Sequence, residues 1–172
     1  MNIAKTTTIQ SLQLSDARTY AWSAAFVACN IALPQLCHLV PGGGLVWLPI
    51  YLFTLVAAYK FGLAAGLLTA LLSPIVNNLD FGMPPTAMLP VILCKSALLA
   101  FAASMIARRV GRVTLLGVTA AVVAYQAAGT LAEWAMTGSL AAALQDIRIG
   151  RPGLIVQVFG GCLIMRLIGR RA

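Results

Sequence analysis

The chain has 172 residues, 60% of them hydrophobic, with twelve Lys and Arg against four Asp and Glu and a formal net charge of +8. A pI near 10.0 would suggest a nucleic-acid partner in a soluble protein, but the basic residues are scattered without interleaved aromatics, which argues against nucleic acid. The charges sit mostly in gaps between long apolar stretches, the pattern of a polytopic membrane protein whose basic residues meet anionic lipid.

Residues 1–18 are polar and lack the short apolar core and small-residue cleavage site of a secretory signal, so they are predicted to be a frayed or interfacial cytoplasmic segment. Six apolar stretches follow, at 20–40, 45–59, 62–78, 87–107, 113–136 and 153–168. They are continuously apolar and rich in Ala and Leu, which predicts helices and not a barrel of alternating strands. The second, third and sixth are short against the roughly 20 residues that span a bilayer core. The expected architecture is all-α: one domain, residues 19–172, forming a bundle of six transmembrane helices.

Orientation follows from the basic residues. Lys5 and Arg18, then Lys60, then Arg108, Arg109 and Arg112, and finally Arg166, Arg170 and Arg171 all fall on one side of such a bundle. The positive-inside rule makes that side cytoplasmic and puts both termini inside a bacterial cytoplasmic membrane. The opposite side receives His38, the loop around Asp80, and a mixed segment with Asp146, Arg148 and Arg151.

On the first helix, Ala21, Ala25, Ala28 and Ala32 recur at spacings of four and three, with Ala24 beside them. Small residues at this spacing let another helix approach closely, either within the bundle or from a partner. In the third segment Ser73-Pro74 is expected to kink the helix and turn Asn77 and Asn78 inward. Asp80-Phe81-Gly82-Met83-Pro84-Pro85 then forces a sharp outer turn, because two prolines fix φ and remove donors.

Ionisable groups in hydrocarbon cost at least about 2.5 kcal/mol, so those inside helices are functional candidates. Lys95 lies about 12 Å into the fourth helix at 1.5 Å per residue, and Glu133 sits near the outer end of the fifth. Gln126, Thr130 and Glu133 share a helix face by their spacing, and Gln157 enters the sixth helix from the same side. With Asn77 and Asn78 they form an outer-leaflet cluster of one cation, one anion and several amides. Two readings stand: a pocket for a small polar molecule, or interhelical glue in which Lys95 pairs with Glu133. Trp47, Trp134 and Tyr125 are either an apolar wall of that pocket or interfacial anchors.

Cys29, Cys37, Cys94 and Cys162 lie in or beside apolar segments without metal spacing and read as buried apolar residues. The sequence contains no phosphate loop, nucleophile elbow or zinc-protease pair, so no cofactor, metal or enzymatic activity is expected. A single outer Glu, one Lys and one His form no acid/base set.

Taken together, Pro41-Gly42-Gly43-Gly44 before Leu48-Pro49, Leu72-Ser73-Pro74, Gly82-Met83-Pro84-Pro85 and Leu89-Pro90 in a six-helix chain resemble the substrate-binding S components of energy-coupling factor (ECF) vitamin transporters. The resemblance covers most of residues 20–168. It implies a subunit that captures a vitamin or cofactor precursor outside and tumbles in the bilayer to release it inside. It also implies that Ala21, Ala25, Ala28 and Ala32 dock onto a transmembrane coupling protein carried by two ATPase subunits. Where many members of that family have an acidic residue after the Leu-Pro of the fourth helix, this chain has Lys95. Lys95 could hold a substrate carboxylate, or be neutralised by Glu133 and leave the site to a neutral or zwitterionic ligand. The competing reading is an autonomous ion-coupled secondary transporter using Glu133 or Lys95 as its coupling group.

Overall fold

The computed structural model describes residues 9–171, with side chains through residue 169. Lys5 with the rest of residues 1–8, and the side chains of Arg170 and Arg171, lie outside the described residues. The described fold is helical. Helix α1 (Ala17–His38) is followed by α2 (Gly43–Trp47), a 3-10 turn (Pro49–Tyr51), α3 (Leu52–Val56) and a π-helical turn (Ala57–Phe61). Then come α4 (Leu63–Phe81), a 3-10 turn (Thr86–Met88), α5 (Leu89–Val110), α6 (Leu115–Thr137), α7 (Leu140–Ala143), α8 (Gln145–Arg148) and α9 (Arg151–Arg171).

Four runs are long and apolar enough to cross a membrane: Leu63–Phe81, Thr86–Val110, Leu115–Thr137 and Arg151–Gly169. The protein is therefore a multi-pass membrane protein built as a helical bundle. The other two expected spans differ from these. Helix α1 has the length, but its inward face carries Thr19, Ser23 and Asn30, all buried, which lowers its apolar character. The stretch 45–59 is not one helix, because Leu48 adopts a left-handed φ of 46° and Pro49 restarts the chain as a shorter helical run, Pro49–Phe61.

Hydrogen bonds at one end of the bundle show how the chain reverses. Tyr59 Oη donates to the carbonyl of Arg112 at 3.3 Å. There Gln10 N–H donates to the Lys60 carbonyl at 2.7 Å and Leu12 N–H to the Phe61 carbonyl at 2.9 Å. Residues 9–12 are thus docked and not frayed, and Ile9 and Leu12 pack against the core. Lys60, expected in a cytoplasmic loop, is instead 2% exposed within the π-helical turn under this strap. Gly62 permits the crossing: its φ of +99° suits only glycine, and a Cβ there would come within 3.4 Å of Ser11.

Polar side chains join the first half of the bundle. Asn30 Nδ2 donates to Thr54 Oγ1 at 3.2 Å and to Ser73 Oγ at 3.1 Å, linking α1, α3 and α4. Ser23 Oγ donates to the Ala65 carbonyl at 3.3 Å. Hydrogen bonds of this kind hold helices together where lipid gives no hydrophobic drive. Pro74 lies inside α4, yet the helix runs through it from Leu63 to Phe81. The backbone around it is supported by Ser73 Oγ donating to Thr69 C=O at 2.7 Å and Asn77 Nδ2 donating to Ser73 C=O at 3.0 Å.

At Gly66 α4 meets the π-helical turn so closely that a Cβ would sit 2.5 Å from Ala58 Cβ and 2.7 Å from its Cα. Backbone cannot yield as a side-chain tip can, so Gly66→Ala is expected to destabilise by about 1–3 kcal/mol. Gly160→Ala meets only side-chain atoms at 3.6 Å and beyond and should be close to neutral. Thermal unfolding of the two variants in detergent checks the contrast; equal midpoints would show that the α4 contact yields.

Candidate functional site

Lys95 lies about two turns into α5, facing α6. The residue opposite its stem is Gly129, where a Cβ would stand 3.2 Å from Lys95 Cγ and 3.3 Å from Cε. The missing side chain lets the aliphatic stem lie flat along α6 and deliver the ammonium one turn further on, at Glu133. Lys95 Nζ donates to Glu133 Oε2 at 2.8 Å. It also donates to Asp146 Oδ2.

Asp146 arrives by way of the connection between α6 and α9. Gly138, with φ of 67°, ends α6 in the left-handed conformation, and Ser139 starts α7 by accepting from Ala142 N–H at 3.2 Å. Short helices α7 and α8 then fold back over the end of α6 and place Asp146 above Lys95. The ammonium is 2% exposed as a residue, and the two carboxylate side chains are 11% and 14% exposed. Burial makes each of these charges dependent on the others, since an unpaired ion at such a site costs several kcal/mol.

The three charges stand in the wall of a cavity of about 550 Å³, within the range of pockets that enclose small organic molecules. Pro34 and His38 of α1, Leu45, Leu48 and Tyr51 form one flank; Val91 and Ile92 of α5 form another. Gly82, Met83, Pro84 and Pro85 also line it. That loop is held by Asn78, whose Nδ2 donates to Pro84 C=O at 2.7 Å and to Thr86 Oγ1 at 3.4 Å. Gly82 ends α4 with φ of 66°, and its N–H donates to the Asn78 carbonyl at 2.9 Å. The lining is mainly apolar with few convergent polar groups, the usual composition of a ligand site.

Of the residues singled out from sequence, Lys95, Glu133 and Asn77 line this cavity. Asn77 is nonetheless engaged elsewhere: Nδ2 donates to Asn30 C=O at 2.9 Å and Ser73 C=O at 3.0 Å, and Oδ1 accepts from Gln35 Nε2 at 3.4 Å. Asn78 positions the loop from Gly82 to Pro85 without lining the space. Gln126, Gln157 and Trp134 are not part of the lining. Gln126 lies two turns deeper than Glu133, in a separate apolar groove between α6 and α9. Gln157 is fully buried, with Oε1 accepting from Tyr125 Oη at 3.0 Å, and so joins α9 to α6. Trp134 is 48% exposed, because one residue beyond Glu133 turns about 100° around the helix. Trp47 is exposed as well, and Tyr125 is buried behind Tyr51 with ring centroids 5.8 Å apart. Tyr51 is therefore the aromatic residue of the wall.

Asp146 and Tyr51 were not singled out from sequence. For Asp146 a signal existed, since it is one of only four acidic residues and follows a Ser139 helix start. Ala21, Ala25, Ala28 and Ala32 are all exposed, on the face of α1 opposite buried Thr19, Ser23, Phe26, Asn30 and Pro34. Among the described residues no three His, Cys, Asp or Glu side chains converge as a metal site. No protein-family model matches the chain, and no curated protein or solved structure matches it either.

The ion cluster makes an asymmetric prediction. Lys95→Met strands two buried carboxylates and is expected to cost about 3–5 kcal/mol. Glu133→Gln leaves Lys95 paired with Asp146 and should cost clearly less. Chemical unfolding of both variants in detergent measures the difference; the reverse order would show that Glu133, not Lys95, is the centre of the cluster.

Proposed function

We propose that this chain is the membrane-embedded substrate-binding subunit, or S component, of an ECF-type importer. In this reading it captures a vitamin or cofactor precursor from outside and delivers it through a transmembrane coupling protein driven by two separate ATPase subunits. The observation that carries the reading is the cavity of about 550 Å³, mainly apolar and with a buried ion cluster in its wall. The exposed alanine face of α1 supports it, since close helix approach needs small residues on an unoccupied surface.

Helix α1 and the run Pro49–Phe61 complete six crossings in this reading, the latter tucked inside the bundle. In this reading the cavity end faces outward and both termini lie in the cytoplasm of a bacterium, an orientation supported by Arg108, Arg109 and Arg112 at the opposite end through the positive-inside rule. Energy for release comes from the partners, whose docked state must bind the substrate-free form better than the loaded one. The second reading is an ion-coupled secondary transporter, favoured by the buried trio of Lys95, Glu133 and Asp146, groups of the kind used in intramembrane ion relays.

Gentle purification from cells in rich medium, followed by mass spectrometry of small molecules released on denaturation, should yield a stoichiometric vitamin-like compound. Solute uptake by the isolated chain in proteoliposomes, without any ATPase, would instead establish the secondary transporter. Replacing Ala25 or Ala28 with Phe should abolish association with the coupling protein while leaving ligand binding within about twofold; a normal complex in pull-downs removes the docking face. Reporter fusions in the loop at Gly111 should read as cytoplasmic, and an external readout would invert the proposed orientation.

A further inference from the structure

Lys95 does not present a free positive charge to the cavity. Its ammonium is already in contact with Glu133 and Asp146, and an ammonium has only three donors to give. One ammonium against two carboxylates leaves one excess negative charge at the cavity wall. The remaining ionisable lining groups are His38 of α1 and the Tyr51 phenol, and neither is a carboxylate, lysine or arginine. Arg148 and Arg151, close in sequence, do not line the space, and Arg151 Nε donates outward to the Ile147 carbonyl at 3.0 Å.

From this charge balance, and resting on the binding-subunit reading above, we infer that the cavity takes an organic cation, a small molecule with an apolar body and a protonated amine, amidine or comparable group that pairs with Asp146. The two carboxylates divide the work. Glu133 is fixed on α6 one turn beyond Gly129 and keeps Lys95 neutralised. Asp146 stands on the short α8, outside the long helices, and is the more exposed of the two. A ligand cation in the cavity reaches Asp146 and shares it with Lys95, while the third ammonium donor is left for a neutral acceptor on the ligand. A ligand carboxylate would have to approach two like charges to reach the one ammonium. The apolar walls, including Met83, Met88 and Ile92, take the ligand's body.

The test uses three probes of nearly one shape and different charge: benzamidine, benzamide and benzoate at millimolar concentration, with binding to the detergent-solubilised full chain followed by saturation-transfer NMR. Benzamidinium is expected to bind at least about tenfold more tightly than either of the others. Asp146→Asn should erase that preference and Asp146→Glu should retain it, with thermal unfolding without probe confirming that both variants are folded. Preference for benzamidinium persisting in Asp146→Asn overturns the assignment to Asp146. Equal or tighter binding of benzoate or benzamide, lost when Val91→Trp fills the cavity, overturns the cation and leaves the binding-subunit reading standing. If none of the three binds, both the cation and the cavity's role as a binding site fall.

Discussion

A lysine ammonium held out of water between two carboxylates organises the upper half of this bundle. It can be there only because α5 and α6 approach closely at Gly129, where nothing but hydrogen stands against the lysine stem. Glu133 and Asp146 both contact it there, and burying an ion without such partners costs several kcal/mol. Satisfying the second carboxylate draws the connection between α6 and α9 down over the helix ends. The contact between Asp146 and Lys95 thereby brings α8 to the cavity wall.

The first half of the bundle is held by neutral groups. Asn30, Thr54, Ser73 and Asn77 form a buried chain of hydrogen bonds across α1, α3 and α4. Because lipid competes poorly for hydrogen bonds, the polar stripe of α1 must turn inward. Its alanine stripe is then left outward by helical periodicity alone. The inward polarity of α1 and its exposed small-residue surface are two sides of one constraint.

Helix α1 also touches the cavity, through Pro34 and His38. The same helix therefore lines the cavity at one end and carries an exposed small-residue face along its length. The loop from Gly82 to Pro85 is held by Asn78 from α4, so this part of the cavity lining is tied to a helix that packs directly on α1.

Much of the architecture was legible in the residues. Four apolar runs became four long helices within a few residues of their expected limits, since continuous apolar sequence in lipid leaves the backbone no partner but itself. The turn with its paired prolines was legible because two prolines cannot continue a helix, and the pairing of Lys95 with Glu133 was one of two readings the spacing left open. What periodicity could not supply was distance across the bundle. Gln126 and Glu133 share a helix face yet lie two turns apart, so only Glu133 reaches the cavity. Lys60 reads as a loop cation until the docked N-terminal strap buries it. Asp146 reads as part of a solvated outer loop until α7 and α8 fold it onto Lys95. A helical membrane protein, and the charged residues within its apolar segments, follow from composition and local spacing. That a second carboxylate, Asp146, joins Glu133 on Lys95 came only with the folded bundle, because it depends on contacts between residues far apart in the chain.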